Sequence, residues 1–183
     1  ESLLDECSSL KKGEIGDLQT EDKWTLSKTQ SKIEEVTGAV EKMRLREALH
    51  DILFTFESDL SWYQKRIQAK KRDNVSGLLH QINSARVSML SPFAPHVAEE
   101  MWEKLGNVEL VSKSSWPKYS PDKIDTSIIQ SEELLKSTIE DIANILKVIK
   151  ISPQKIVIYV NSDDIKLKIY RKILSVMVGG QNN

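Results

Sequence analysis

From Leu26 the apolar-leaning positions fall at Leu26, Thr29, Ile33, Val36, Val40 and Met43, alternately three and four apart, which is the spacing of one face of a helix. Thr20 and Asp22 stand just before this stripe as candidate N-caps. A second stripe, Leu45, Leu49, Ile52, Phe56, Leu60, Tyr63 and Ile67, predicts a helix of about 25 residues, roughly 38 Å long. Asn74 is placed to cap a third, which carries Val75, Leu78, Leu79, Ile82, Ala85 and Met89. Ser91-Pro92 breaks it, and Pro95 suits the first turn of a fourth, where its missing N–H costs no hydrogen bond. That helix carries Val97, Ala98, Met101, Trp102 and Leu105 and stops at Gly106, a residue free to take the left-handed C′ conformation. Trp102 is expected in the core. Four helices with short links predict an antiparallel bundle.

Residues 107–125 contain Pro117 and Pro121 and read as an irregular connection, with Trp116 expected to plug the bundle surface. A further helix puts Leu135, Ile139, Ile142, Leu146 and Ile149 on one face. Beyond Pro153 the period changes. Residues 155–160 are β-branched and aromatic and read as a strand, and Asp163 or Asp164 caps a helix with Ile165, Ile169, Ile173 and Val176. A lone strand leaves its edges open, so residues 151–183 are expected to begin a small α/β C-terminal domain. The expected fold is mainly α: an antiparallel helical bundle followed by the start of that domain. The divisions are 1–20 as N-terminal helix or linker, 21–150 as the helical domain, and 151–183. Glu1 opens inside a helical pattern and no closing element follows Gly179-Gly180, so the chain reads as a fragment.

Composition narrows the classes. Hydrophobic residues at 39% of 183 suffice for a core, and the 29% that are charged are interspersed, which excludes a disordered chain. No apolar run approaches the roughly 20 residues of a membrane span, and the N-terminus lacks a secretory pattern. One cysteine, Cys7, excludes an internal disulfide and fits a reducing cytoplasm; it reads as an inert helix-face residue. His50, His80 and His96 lack metal-ligand spacing with each other or with Cys7. No glycine-rich phosphate loop or nucleophile elbow occurs. Glu99 and Glu100 point about 100° apart on a helix and read as a solvated face, and His96 reads as a packed or hydrogen-bonded structural histidine. No residue is assigned a catalytic role.

Net charge is -1, so a polyanionic partner must be argued from where charges sit. Lys65, Arg66, Lys70, Lys71 and Arg72 form a run with no acid between Ser61 and Arg72, beside Trp62-Tyr63. Cations for phosphate and aromatics for stacking are the minimum for an RNA contact. Each also has a plainer reading: the cations as a solvated helix end that complements the dipole, the aromatics as core.

The stretch Leu90-Ser-Pro-Phe-Ala-Pro-His-Val-Ala-Glu-Glu-Met-Trp-Glu-Lys-Leu-Gly106 resembles the anticodon-binding helical domain of class Ia aminoacyl-tRNA synthetases, as does the following Ser115-Trp116-Pro117. Asp22-Lys-Trp-Thr-Leu-Ser27 resembles the opening of these domains. Asp59-Leu-Ser-Trp-Tyr-Gln-Lys-Arg66, and the segment from Ile151 to Val160, resemble archaeal and eukaryotic-cytosolic leucyl-tRNA synthetases. The resemblance implies a parent enzyme that uses ATP and Mg²⁺ to charge tRNA(Leu), in a catalytic domain absent from this chain. It implies that this part holds tRNA, needs no cofactor of its own, and works beside the parent's other domains in the cytoplasm. Lys65, Arg66, Lys70, Lys71, Arg72 and Trp62 are the expected RNA contacts. Valyl, isoleucyl and methionyl enzymes share the long motif and stay open, as does a helical protein-interaction module without an RNA role.

Overall fold

The computed structural model describes residues 15–150 without a break, together with Cys7, Ser8, Leu10, Lys12, Gly13, Pro153 and residues 155–159. It divides into two compact units, residues 1–125 and 126–183.

In the first unit, helix α1 (Thr20–Glu41) opens with Gln19 as N-cap, whose backbone N–H donates to Asp22 Oδ2 at 2.8 Å. Asp22 is thus the third helical residue, reaching back in a capping box, and Thr20 is the first. The helix ends in a Schellman turn: Arg44 N–H donates to Ala39 O at 2.8 Å and Met43 N–H to Val40 O at 2.9 Å. Met43 takes φ 57° there and is 76% exposed, so the stripe expected to end on it loses its last member to the turn. The core of α1 is Trp24, Ile33, Val36 and Ala39.

The second predicted helix is a rod running from Leu45 to Ala69, as α2 (Leu45–His50), a π-helical segment (Asp51–Thr55) and α3 (Phe56–Ala69). It buries Ala48, Ile52, Phe56, Leu60, Tyr63 and Ile67. The i→i+5 bonding of the π segment turns the chain less per residue than an α-helix, so Ala48, Ile52 and Phe56, four apart, stay in line. Arg86 holds this segment from the neighbouring helix α4 (Ser76–Leu90). Its Nε donates to Ile52 O at 2.9 Å, Nη2 to Leu53 O at 3.1 Å and Nη1 to Glu57 at 2.7 Å, with the guanidinium 5.5 Å from the centre of the Phe56 ring. Helix α3 ends in a second Schellman turn, with Arg72 N–H on Ile67 O, Lys71 N–H on Gln68 O, and Lys71 at φ 51°.

Helix α4 takes Val75 as N-cap, one residue after Asn74. Helix α5 (Pro95–Lys104) starts on its proline and ends in a third Schellman turn with Gly106 at φ 81°, as expected. Its buried face is Ala98, Met101 and Leu105. Trp102 is only half-buried and Val97 is 46% exposed, so the tryptophan flanks the seam that Met101 fills. His80 of α4 makes a 2.8 Å hydrogen bond through Nε2 to Leu105 O, tying α4 to the end of α5. Helix α1 packs on α2, α3 and α4, and α4 on α5.

The connection after α5 runs back along α1. Glu99 accepts from Val111 N–H at 2.8 Å and so caps the short 3₁₀ turn Val111–Lys113. Trp116 Nε1 donates to Thr37 Oγ1 at 2.8 Å, Ser120 N–H to Gln30 Oε1 at 2.9 Å, and Asp125 N–H to Ser27 Oγ at 3.1 Å. Thr37, Gln30 and Ser27 share one face of α1, so Trp116 does dock on the bundle and the loop follows it downward.

The second unit contains α6 (Thr126–Ile149). Pro153, Lys155, Ile156, Val157, Ile158 and Tyr159 lie along its C-terminal half and enclose an open apolar groove with Ile142, Ile145, Leu146 and Ile149. The strand expected at 155–160 does not form among the described residues: 155–159 have no ladder partner, and without one a β-branched run is not a strand. Val160, the helix expected after Asp163, and nine of the twenty residues assigned to the N-terminal helix or linker lie outside the described residues.

Candidate nucleic-acid interface

The rod and α1 form an antiparallel hairpin, which brings the basic end of α3 beside the acidic first turn of α1. There the cations meet partners that no local sequence pattern announces. Arg72 donates from Nη1 to Glu21 and to Asp22 Oδ1, and from Nη2 to Asp22 Oδ2, each at 2.9 Å. Lys70 Nζ donates to both Glu21 oxygens at 2.7 Å and to Gln19 Oε1 at 3.2 Å. Tyr63 O–H donates to Asp22 Oδ1 at 2.6 Å. Glu21 and Asp22 are essentially inaccessible, at 0% and 1% exposure.

Burial alone would raise both carboxyls. Bonds from Lys70, Glu21's own backbone N–H and Arg72 outweigh it for Glu21, and bonds from Arg72, Tyr63 and the Gln19 N–H outweigh it for Asp22, so both lie below their ordinary values. Tyr63 is pushed well above the usual phenol range, first by burial and then by its bond to Asp22. Hydrogen bonds to Asp22 raise Arg72 further still. A fully paired cluster like this fastens two helix ends together. The cleft that Asp22 and Arg72 line is too small to admit a substrate.

The six expected RNA contacts therefore separate. Arg66 is 2% exposed and buried in the bundle, where a phosphate cannot reach it. Arg72 is committed to the two carboxylates, its side chain 10% exposed. Both side chains are thus enclosed, unlike the other four. Lys65 and Lys71 are exposed, Lys70 shows 30% of its side chain, and Trp62 is half-buried. Reasoning from sequence missed Glu21, Gln19 and the role of Tyr63. The one available signal was an acid pair opening α1 at the same end of the hairpin as the unmatched basic run.

Elsewhere the site census is short. His96 is exposed rather than packed. No group of three or more His, Cys, Asp or Glu side chains among the described residues is arranged to hold a metal ion. No helix among them is long and apolar enough to cross a membrane.

Residues 22–159 match the family described as the anticodon-binding domain of tRNA ligase. The chain is 33% identical over 171 residues to the leucine–tRNA ligase of Methanococcoides burtonii, covering 92% of this chain and 17% of that one. It is 36% identical over 154 residues to that of Methanosarcina mazei (82% and 15%), and 33% identical over 172 residues to that of Pyrococcus abyssi (93% and 18%). The chain spans about a sixth of the length of these curated relatives.

Proposed function

Since the chain belongs to the anticodon-binding domain family of tRNA ligases, we propose that it is the tRNA-holding part of a leucine–tRNA ligase of the archaeal and eukaryotic-cytosolic type. Its helical part, residues 21–150, positions tRNA(Leu) for ATP-dependent leucylation carried out in the cytoplasm by another domain of the same enzyme. The observation that carries this reading is the family match across residues 22–159, joined to leucine–tRNA ligases as relatives over most of the chain. A scaffold without an RNA role finds no comparable support.

Within this reading Lys65, Lys70 and Lys71 are the phosphate contacts, with Trp62 beside them. Three phosphate contacts give a log–log slope of affinity against salt of about -2 to -3. The test is fluorescence anisotropy of labelled leucine tRNA titrated with the chain at several salt concentrations. Replacing the three lysines with Gln should weaken binding and flatten the slope. Binding that ignores salt, or that survives the triple replacement unchanged, sinks this assignment.

A further inference from the structure

At the other end of the hairpin the rod exposes an aromatic residue where a helical bundle would bury one. Phe54 is 64% exposed, while Phe56 and Tyr63 on the same rod are 2% and 0% exposed. The π segment explains the position. It keeps residues four apart in line, so the buried row Ala48, Ile52 and Phe56 is matched by an outward row, Arg46, His50 and Phe54. His50 and Phe54 meet with ring centroids 5.3 Å apart and planes tilted by 41°, so Phe54 is steadied on one side and open on the other. Arg86 locks this geometry from beneath by binding the Ile52 and Leu53 carbonyls. An exposed phenyl ring held rigid loses little entropy when something stacks on it.

The surrounding charges define what that something is. The turn into α2 presents Lys42, Arg44 and Arg46, all exposed, with Met43 76% and Leu45 44% exposed beside them. Three acids lie in the same stretch. Glu47 is bridged to Arg44 at 2.8 Å, and Asp51 accepts from Thr55 Oγ1 at 2.9 Å and lies 3.9 Å from His50 Nδ1. Glu41 is exposed. Glu47 and Asp51 are engaged, while Arg46 stands two turns before Phe54 on the same outward row and Lys42 is exposed in the turn before it. A flat, exposed π-face with a cation two turns away on the same row suits a nucleobase whose strand carries its phosphates along the rod.

We propose that Phe54, braced by His50 and on the same outward row as Arg46, is a stacking site for an unpaired nucleobase of the bound RNA. The inference rests on the tRNA-holding reading and deepens it, naming a second contact far from the first. Arg46 to Lys70 is 24 residues along the rod, roughly 36 Å at helical rise. The two contacts therefore touch separate parts of a folded RNA.

Labelled leucine tRNA is titrated at low salt with the unaltered 183-residue chain and with Phe54→Ala, Phe54→Leu, Phe54→Trp and Arg46→Gln. Loss of one stacked base weakens binding about 5- to 150-fold on alanine substitution. Phe54→Ala and Phe54→Leu should both fall in that range, because leucine keeps apolar area but has no π-face, whereas Phe54→Trp should bind at least as tightly as the unaltered chain. Arg46→Gln should weaken binding and reduce the salt slope by about one. Superposable urea melts establish that each variant is folded, as the exposure of the site predicts. If Phe54→Ala binds like the unaltered chain, or Phe54→Leu binds like Phe54→Trp, the stacking site is overturned while the tRNA-holding reading stands. Phe54 is then a packing contact for another protein surface. If the unaltered chain does not bind tRNA at all, both fall together.

Discussion

Replacing Arg72 with leucine removes three hydrogen bonds of 2.9 Å from two carboxylates whose side chains are 0% and 2% exposed. Taking one partner from a buried ion pair costs about 3–5 kcal/mol, because the charge left behind has already lost its water. Here the loss belongs at the lower end, about 3 kcal/mol by that scale. Lys70 still holds Glu21, and Tyr63 and the Gln19 N–H still hold Asp22. With a typical domain stability of about 5–15 kcal/mol the variant still folds, so urea melts at pH 7 followed by far-ultraviolet dichroism read the deficit directly. Acid supplies the control. The unaltered chain loses the cluster's contribution as its carboxylates protonate, and the variant has less to lose, so the two stabilities should converge toward pH 3. A deficit under about 1 kcal/mol at pH 7, or one unchanged on acidification, would refute Arg72 as the residue that keeps these carboxylates charged.

The other expectations concern single elements. Glu21 and Asp22 fall below their ordinary values of 4.5 and 3.8 on folding, so the unfolded chain binds protons more readily. Stability should therefore be full above about pH 5 and fall as pH drops through the folded values; a flat profile from pH 7 to 3 contradicts this. Met101→Ala should cost about 2–5 kcal/mol and more than Trp102→Ala, in paired denaturant melts. Met43→Gly relieves a side chain at φ 57° and should add up to about 1 kcal/mol, whereas Gly106→Ala, at φ 81° with open space around its Cα, should cost about as much. Arg86→Met strips the partner from two carbonyls of the π segment and one carboxylate, and a loss of several kcal/mol is expected in the same melts.

The helices were legible because they are written locally. A stripe of apolar residues, Pro95 and Gly106 each act within one turn, and the structure uses them as their chemistry suggests. Two misplacements have equally local causes. Trp102 is the bulkiest apolar residue of α5, but the seam is set by the three-and-four spacing of Ala98, Met101 and Leu105, which leaves it to one side. Met43 continues the α1 stripe in spacing, yet the Schellman turn has already left the helix axis. The π segment was invisible because its bracing partner, Arg86, lies 34 residues beyond Ile52.

The candidate site was legible only as charge. The run at Lys65–Arg72 announces cations, but whether they face solvent depends on Glu21 and Asp22, about fifty residues earlier. Two of the family-like stretches meet there through the Tyr63–Asp22 bond, so those motifs encode the fastening of the hairpin as much as any contact with RNA. Phe54 was missed for the opposite reason. The stripe of Ile52 and Phe56 already leaves Phe54 off the buried row, but spacing does not show that His50 stacks beside it.

The central claim is that this chain holds a folded tRNA, and equilibrium competition tests it most directly. With labelled leucine tRNA bound to the unaltered chain, unlabelled leucine tRNA should displace it at markedly lower concentration than an unstructured RNA of equal length and charge. Equal displacement by the two RNAs would reduce the interaction to charge alone, and no saturable binding of the labelled tRNA at low salt would contradict the account outright.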